Sequence, residues 1–137
     1  MKIKEIATLT KLSKETIRYY ETLHLIKPER NQNGYREYSE SDLNDLLFII
    51  HLKKINFSLE DISLLLKLKK QETSLSCKEE TLNFLRHHIK SIRSDLTVLE
   101  NSLTIFEQIE SIVSTSDDKT DEEKIIPLLK RFEGVIS

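Results

Sequence analysis

In two short segments at the start of the chain, apolar residues recur with the spacing of a helix, which predicts a pair of helices. Apolar residues three and four apart indicate a helix over residues 3–9 and a second over residues 14–22. Ser13 stands where its hydroxyl can accept a hydrogen bond from a free N–H of the second helix. The predicted buried side of that helix consists of Ile17, Tyr20 and Leu23. Two short helices joined by a three- or four-residue turn form the helix-turn-helix pattern.

A hairpin signal and two further helices follow. The dipeptide Asn33-Gly34 lies within residues 29–38 and predicts a small β-hairpin, a wing of about 8–10 residues. A third helix begins after Ser39 or Ser41, and Ser58 precedes a fourth helix that runs to about residue 68. Helix, turn, helix, wing and helix in this order predict a winged helix-turn-helix head.

From Cys77 onward the apolar residues follow a heptad spacing. Their positions are Leu82, Leu85, Ile89, Ile92, Leu96, Leu99, Leu103, Phe106 and Val113. A helix of about 36 residues is about 54 Å long, so a 70-residue head could not cover it. We expect a second copy to cover the stripe, although a long core helix in a monomer is the alternative. The predicted fold is mainly α, a winged helix-turn-helix head followed by a long antiparallel coiled-coil dimerisation helix.

These patterns divide the chain into four parts. The predicted parts are a DNA-binding domain over 1–70, a connector over 71–76, a dimerisation helix over 77–113 and an effector region over 114–137. Within the last part we expect a polar loop over 114–124. A final helix over 125–132 is predicted to have Pro127 in its first turn, where proline is favoured.

Charge and composition narrow the class of protein. Residues 1–70 have a net charge of +3 and residues 71–137 a net charge of -5, which suits a DNA-binding head on a remainder that does not bind DNA. No apolar run is long enough for a bilayer and no signal peptide is evident, so we expect a cytoplasmic protein without membrane contact. No phosphate-binding glycine loop, nucleophile elbow or metalloprotease motif is present, which argues against an enzyme.

The second helix and the wing supply side chains suited to DNA. Polar residues near the N-terminus of a recognition helix reach base edges, while arginine and tyrosine also bind phosphate. We predict that the DNA-binding residues are Lys14, Glu15, Thr16, Arg18, Tyr19, Tyr35 and Arg36. Glu15 could equally be a solvent-facing partner of a lysine.

Four segments of the head resemble the MerR family of transcriptional regulators. They are residues 3–7 (IKEIA), 12–21 (LSKETIRYYE), 25–30 (LIKPER) and 33–38 (NGYREY). The resemblance implies a homodimer that bends and untwists promoter DNA in response to an effector, so that RNA polymerase can start. The family usually has glycine where this chain has His24 and Asn56, and we expect both residues to adopt the left-handed conformation at helix ends.

The candidate effector chemistry centres on Cys77. Cys77 resembles the cysteine that small metal sensors of the family place at the start of the dimer helix, but the loop after the helix lacks their two further cysteines. A single thiolate argues against Cu(I) and Hg(II), whereas a mixed set of thiolate, imidazole and carboxylate suits Ni(II), Zn(II) or Co(II), of which we favour Ni(II) or Zn(II). The candidate ligands are Cys77, His51, His87 and His88. The alternative is a thiol-based sensor in which electrophiles or oxidants modify Cys77.

Overall fold

The computed structural model describes residues 1–115 and 121–133. The chain separates into two compact units, Met1–Ser76 and Cys77–Ser137, which are described one at a time. The first unit contains α1 (Ile3–Thr10), α2 (Lys14–Thr22), β1 (Glu29–Arg30), β2 (Arg36–Glu37), α3 (Glu40–Lys54) and α4 (Leu59–Lys69). The second contains α5 (Lys78–Thr115), α6 (Asp121–Leu129) and a short 3₁₀ turn (Lys130–Phe132). This architecture confirms the predicted mainly α fold with a winged helix-turn-helix head and a long helix, while the antiparallel coiled coil stays a prediction.

Serine residues start three of the helices in the first unit. Ser13, Ser39 and Ser58 each accept a hydrogen bond from the backbone N–H three residues further on. Of the two candidates at the start of α3, Ser39 is the cap, and the Asp42 carboxylate accepts the backbone N–H of Ser39 in return. These bonds satisfy N–H groups that have no partner within the helix.

All four helices of the first unit are followed by a residue with positive φ. These residues are Lys11, His24, Asn56 and Gln71. The prediction for His24 and Asn56 is therefore confirmed, at φ angles of 60° and 66°. The next residues, Leu25 and Phe57, donate their N–H groups to the carbonyl five residues back, at 3.0 and 3.1 Å. This is the Schellman arrangement, in which a left-handed residue turns the chain and an apolar one follows.

The core of the first unit lies between α1, α2, α3 and α4. Its buried apolar residues are Ile6, Ile17, Tyr20, Leu25, Ile26, Tyr38, Leu46, Ile49, Phe57, Ile62 and Leu66. Leu23, which was predicted to be buried with Ile17 and Tyr20, is exposed, and that expectation was wrong. The physical reason is the left-handed turn at His24, which directs Leu25 rather than Leu23 into the core.

In the second unit α5 is a 38-residue helix, about 57 Å long at 1.5 Å per residue. Residues Leu85, Ile89, Ile92, Leu96, Leu99, Leu103, Phe106 and Val113 of the heptad stripe are 38–65% exposed in the single chain. The alternative of a core helix buried within a monomer therefore does not describe this unit. None of the described helices is both long and apolar enough to cross a membrane.

The helix α6 differs from its prediction in position and in partner. It begins at Asp121, four residues earlier than expected, so Pro127 lies inside the helix rather than in its first turn. Acidic residues in the first turn favour the earlier start because they complement the helix dipole. It packs on the C-terminal part of α5 in the same chain, where Ile105 is buried and the Phe106 and Phe132 ring centroids lie 5.4 Å apart. Residues 116–120 of the predicted loop 114–124 lie outside the described residues.

Candidate nucleic-acid interface

The helix α2 has one face in the core and one in solvent. Ile17 and Tyr20 anchor it. On the outer face, the predicted DNA-binding residues Lys14, Glu15, Arg18 and Tyr19 are exposed. Thr16 is half-buried, and its hydroxyl lies 2.8 Å from the Ser13 hydroxyl, so it also contributes to the start of the helix. The exposed set spans the N-terminal half of the helix, the part that enters the major groove in helix-turn-helix proteins.

The wing is a two-stranded antiparallel hairpin whose strands are joined by a five-residue loop, residues 31–35. In its register, Arg30 lies opposite Arg36. The Asn31 carbonyl accepts the N–H of Gly34, and the Asn31 N–H donates to the Tyr35 carbonyl. Only Gly34 in this loop has positive φ, at 79°, so Asn33-Gly34 does not form the two-residue turn in which both residues are left-handed. The loop carries Tyr35 into solvent.

A groove of about 350 Å³ joins the start of the chain, α2 and the wing. Its lining, which we call the basic groove, consists of Lys2, Ile3, Arg18, Arg30, Gly34, Tyr35 and Arg36. Three of the predicted DNA-binding residues, Arg18, Tyr35 and Arg36, therefore share one site. Lys2 and Arg30 also line it and are not among the residues predicted from the sequence. The hairpin register could have identified Arg30, because residues directly opposite on paired strands lie side by side.

Two carboxylates contact three of the four cations of the basic groove. Glu21 accepts a hydrogen bond of 2.5 Å from Nε of Arg36, and Nη2 of Arg30 lies 4.0 Å from its other oxygen. Glu37 contacts Nζ of Lys2 at 2.5 Å and the amino group of Met1 at 3.2 Å. The hydrogen bond from Lys2, followed by the one from the N-terminus, lowers the pKa of Glu37.

A buried phenol lies behind this network. Tyr38 is almost fully buried directly after β2, and burial raises the pKa of its hydroxyl, with a smaller contribution from the negative charge of Glu21. The phenol of Tyr38 therefore stays neutral and forms part of the core of the first unit. The groove itself presents four cations and the phenol of Tyr35, groups that donate to phosphate oxygens.

Of the candidate effector ligands, the structure brings only the adjacent His87 and His88 close together, with ring centroids 5.2 Å apart. Cys77 is half-buried and free at the start of α5, and His51 is exposed on α3 of the other unit. On α5, His87 is exposed and the ring of His88 contacts Phe84 edge-on at 4.6 Å. Within residues 1–115 and 121–133, no group of three or more His, Cys, Asp or Glu side chains is placed to hold a metal ion.

The fold and the basic groove define a winged helix-turn-helix DNA-binding protein. Residues 1–69 match the model of the MerR HTH family regulatory protein. A relative in Haemophilus influenzae, named "Probable heavy metal-dependent transcriptional regulator", is 41% identical over 101 residues, which cover 73% of this chain and 77% of the relative. The chain belongs to the MerR family and is a transcriptional regulator rather than an enzyme.

Two solved structures share the architecture. HiNmlR, described as a MerR family regulator lacking the sensor domain and bound to promoter DNA, has a TM-score of 0.66 at 20% identity, with 93% of this chain and 94% of that chain covered. PbrR691 from Ralstonia metallidurans CH34, in complex with lead(II), has a TM-score of 0.57 at 26% identity, with 86% and 88% covered. The first likeness concerns the fold alone.

Proposed function

We propose that the chain binds promoter DNA with α2 in the major groove and the basic groove against the neighbouring phosphates. The observation that carries this proposal is the shared position of Arg18 on α2 with Tyr35 and Arg36 of the wing. In this arrangement Lys14, Glu15 and Thr16 face base edges, whereas the groove residues bind the backbone.

We further propose that two copies associate along the stripe of α5 and that the dimer distorts its promoter. A contiguous apolar stripe of this length on a polar helix is unfavourable in water, and a second copy presents the complementary heptad surface. Two heads held at a fixed spacing can bend or untwist the DNA between them, so that RNA polymerase engages the promoter when an effector shifts the dimer between two states.

A divalent transition metal such as Ni(II) or Zn(II) is the proposed effector. The name of the Haemophilus influenzae relative and the lead(II) complex of PbrR691 support a metal. Because the described residues of one chain hold no converging ligand set, the metal would need ligands from two copies. Cys77 and His87 are ten residues apart, about 15 Å along a helix, which is too far for a shared ion within one chain.

The second candidate is a thiol sensor. Cys77 is free and partly accessible, which allows alkylation or oxidation of its sulfur without a metal. Its carbonyl accepts hydrogen bonds from the backbone N–H and the hydroxyl of Thr81, so a modification of the thiol would act at the first turn of α5.

A gel shift on the DNA upstream of the protein's own coding region tests DNA binding. Arg18→Ala and Arg36→Ala should each weaken binding about tenfold or more, and should lower the slope of log affinity against log salt by about one unit per phosphate contact. Lys90→Ala removes the same charge from α5, at an exposed residue off the stripe, and should leave binding unchanged. Retained affinity in both arginine variants would contradict the groove assignment.

The two effector candidates are separated by treating wild type and Cys77→Ser in parallel. Calorimetric titration with NiCl₂ and ZnCl₂ should show binding to wild type that weakens at least tenfold in Cys77→Ser, since a lost ligand leaves the site incomplete. In vitro transcription with iodoacetamide instead of metal tests the hypothesis of a thiol sensor. If metal binding is unchanged in Cys77→Ser and alkylation alters transcription only in wild type, the thiol candidate is correct.

A further inference from the structure

Glu21 is an acidic residue beside a groove proposed to bind phosphate, where electrostatics alone would not favour a negative charge. It lies on α2 one turn after Arg18, beside a groove that we propose binds phosphate. A carboxylate there repels the DNA backbone. The same carboxylate is largely buried and makes two contacts to cations, so it is not a solvated surface acid.

The two contacts of Glu21 reach both strands of the wing. One oxygen accepts from Nε of Arg36 on β2, and the other lies 4.0 Å from Nη2 of Arg30 on β1. Nη1 of Arg30 is also fixed, because it donates to the carbonyl of Gly34 at 2.9 Å. The bond to Arg36 uses Nε, so the terminal amino groups of that guanidinium can still donate to another acceptor.

We propose that Glu21 is a positioning residue for DNA binding, which holds Arg36 and Arg30 in the orientation that meets the phosphates and ties the wing to the recognition helix. This inference rests on the proposed DNA interface. Arginine side chains lose much conformational freedom when they bind, and holding them beforehand reduces that loss. The benefit of orientation outweighs the repulsion between one carboxylate and the DNA backbone.

Repulsion of DNA by Glu21 and positioning of the arginines by Glu21 predict opposite changes in DNA affinity for Glu21→Gln. Glu21→Gln removes the negative charge and weakens the hold on both arginines. If repulsion dominates, the variant binds DNA more tightly than wild type. If positioning dominates, it binds more weakly, and the slope of log affinity against log salt falls by about 1–2 units as one or two phosphate contacts are lost.

Fluorescence anisotropy on promoter DNA, repeated across a KCl series, measures both quantities. We expect Glu21→Gln to weaken binding about fivefold or more, with the lower salt slope and with loss of hydroxyl-radical protection at the deoxyriboses next to the wing. Glu60→Gln on α4 is the control, since it makes the same change of charge at an exposed residue outside the groove. Equal or tighter binding by Glu21→Gln would overturn the proposal. Failure of wild type to bind would instead overturn the DNA interface.

The same substitution in a protein that lacks both wing arginines distinguishes positioning from a general loss of folding. In an Arg30→Gln/Arg36→Gln protein, Glu21 has no wing arginine to hold, so adding Glu21→Gln should leave binding unchanged or tighten it. If the substitution weakens binding by the same factor in both backgrounds, Glu21 acts through α2 itself and the proposal is wrong. Circular dichroism melting of each variant confirms that equal fractions are folded at the assay temperature.

Discussion

Substitution of Leu99 is expected to dissociate the proposed dimer. Leu99 lies in the middle of the heptad stripe on α5 and is 65% exposed in the single chain. Val98, its neighbour in sequence, is 61% exposed but lies about 100° away around the helix, off the stripe. Leu99→Ala and Val98→Ala therefore form a matched pair, in which similar exposed apolar groups are shortened on two different faces.

The size of the effect follows from the exposed fraction. Burying a whole leucine side chain is worth about 1.5–3 kcal/mol, so the 65% of Leu99 that is still exposed represents about 1–2 kcal/mol per chain. A symmetric dimer contains the residue twice, which gives about 2–4 kcal/mol for Leu99→Ala. At about 1.4 kcal/mol per factor of ten, the dimer Kd should rise by at least about thirtyfold.

Sedimentation equilibrium from nanomolar to micromolar protein measures this Kd. We expect wild type and Val98→Ala to remain dimeric over a range in which Leu99→Ala becomes monomeric. Circular dichroism should show that the first unit stays folded in all three proteins, because its core does not include α5. Monomeric wild type at micromolar concentration, or equal effects of the two substitutions, would refute the assignment of the stripe to a dimer seam.

Two further predictions concern charges in the first unit. Asp45 is only 2% exposed and lies 3.1 Å from Nζ of both Lys69 and Lys70, which are themselves 42% and 36% exposed. Asp45→Asn should cost about 1–3 kcal/mol in urea unfolding, because the lysines remain hydrated, whereas Lys69→Met/Lys70→Met should cost about 3–5 kcal/mol, because the carboxylate stays buried without a cation. A larger loss of unfolding free energy for Asp45→Asn than for Lys69→Met/Lys70→Met would contradict this explanation. The lowered pKa of Glu37 means that its ion pairs stabilise the fold above about pH 4.5, its ordinary pKa, and lose that effect as the pH falls through the folded pKa. The difference in unfolding free energy between wild type and Glu37→Gln should therefore shrink between pH 6 and pH 3, and a constant difference would exclude the mechanism.

The sequence predicted the local elements better than the contacts between them. Helix starts at Ser13 and Ser58 follow from side-chain chemistry that is written in the chain, and the left-handed residues follow from where the helices end. Arg30 and Glu21 were missed because their roles depend on the register of the hairpin and on its approach to α2. Such contacts join residues far apart in sequence, and no periodicity records them.

In the effector region, too, the sequence indicates residue types but not the contacts between them. The absence of apolar residues in its acidic run predicts a loop, although acidic residues are also favoured in the first turn of a helix. The candidate ligands Cys77, His87 and His88 could be named from residue type alone. Whether they converge depends on an arrangement of two chains, which a single sequence does not encode in any local pattern.

The four left-handed residues that follow the helices of the first unit limit how heat-resistant it is. A residue with a side chain in this conformation costs about 1–2 kcal/mol, and glycine avoids that cost while losing about 0.5–1 kcal/mol through a freer unfolded chain. At His24, glycine should therefore give a net gain of about 0.5–1 kcal/mol, several degrees in Tm for a unit of this size. Since His24 lies outside the basic groove, thermal tolerance of the head and its contact with DNA can change independently.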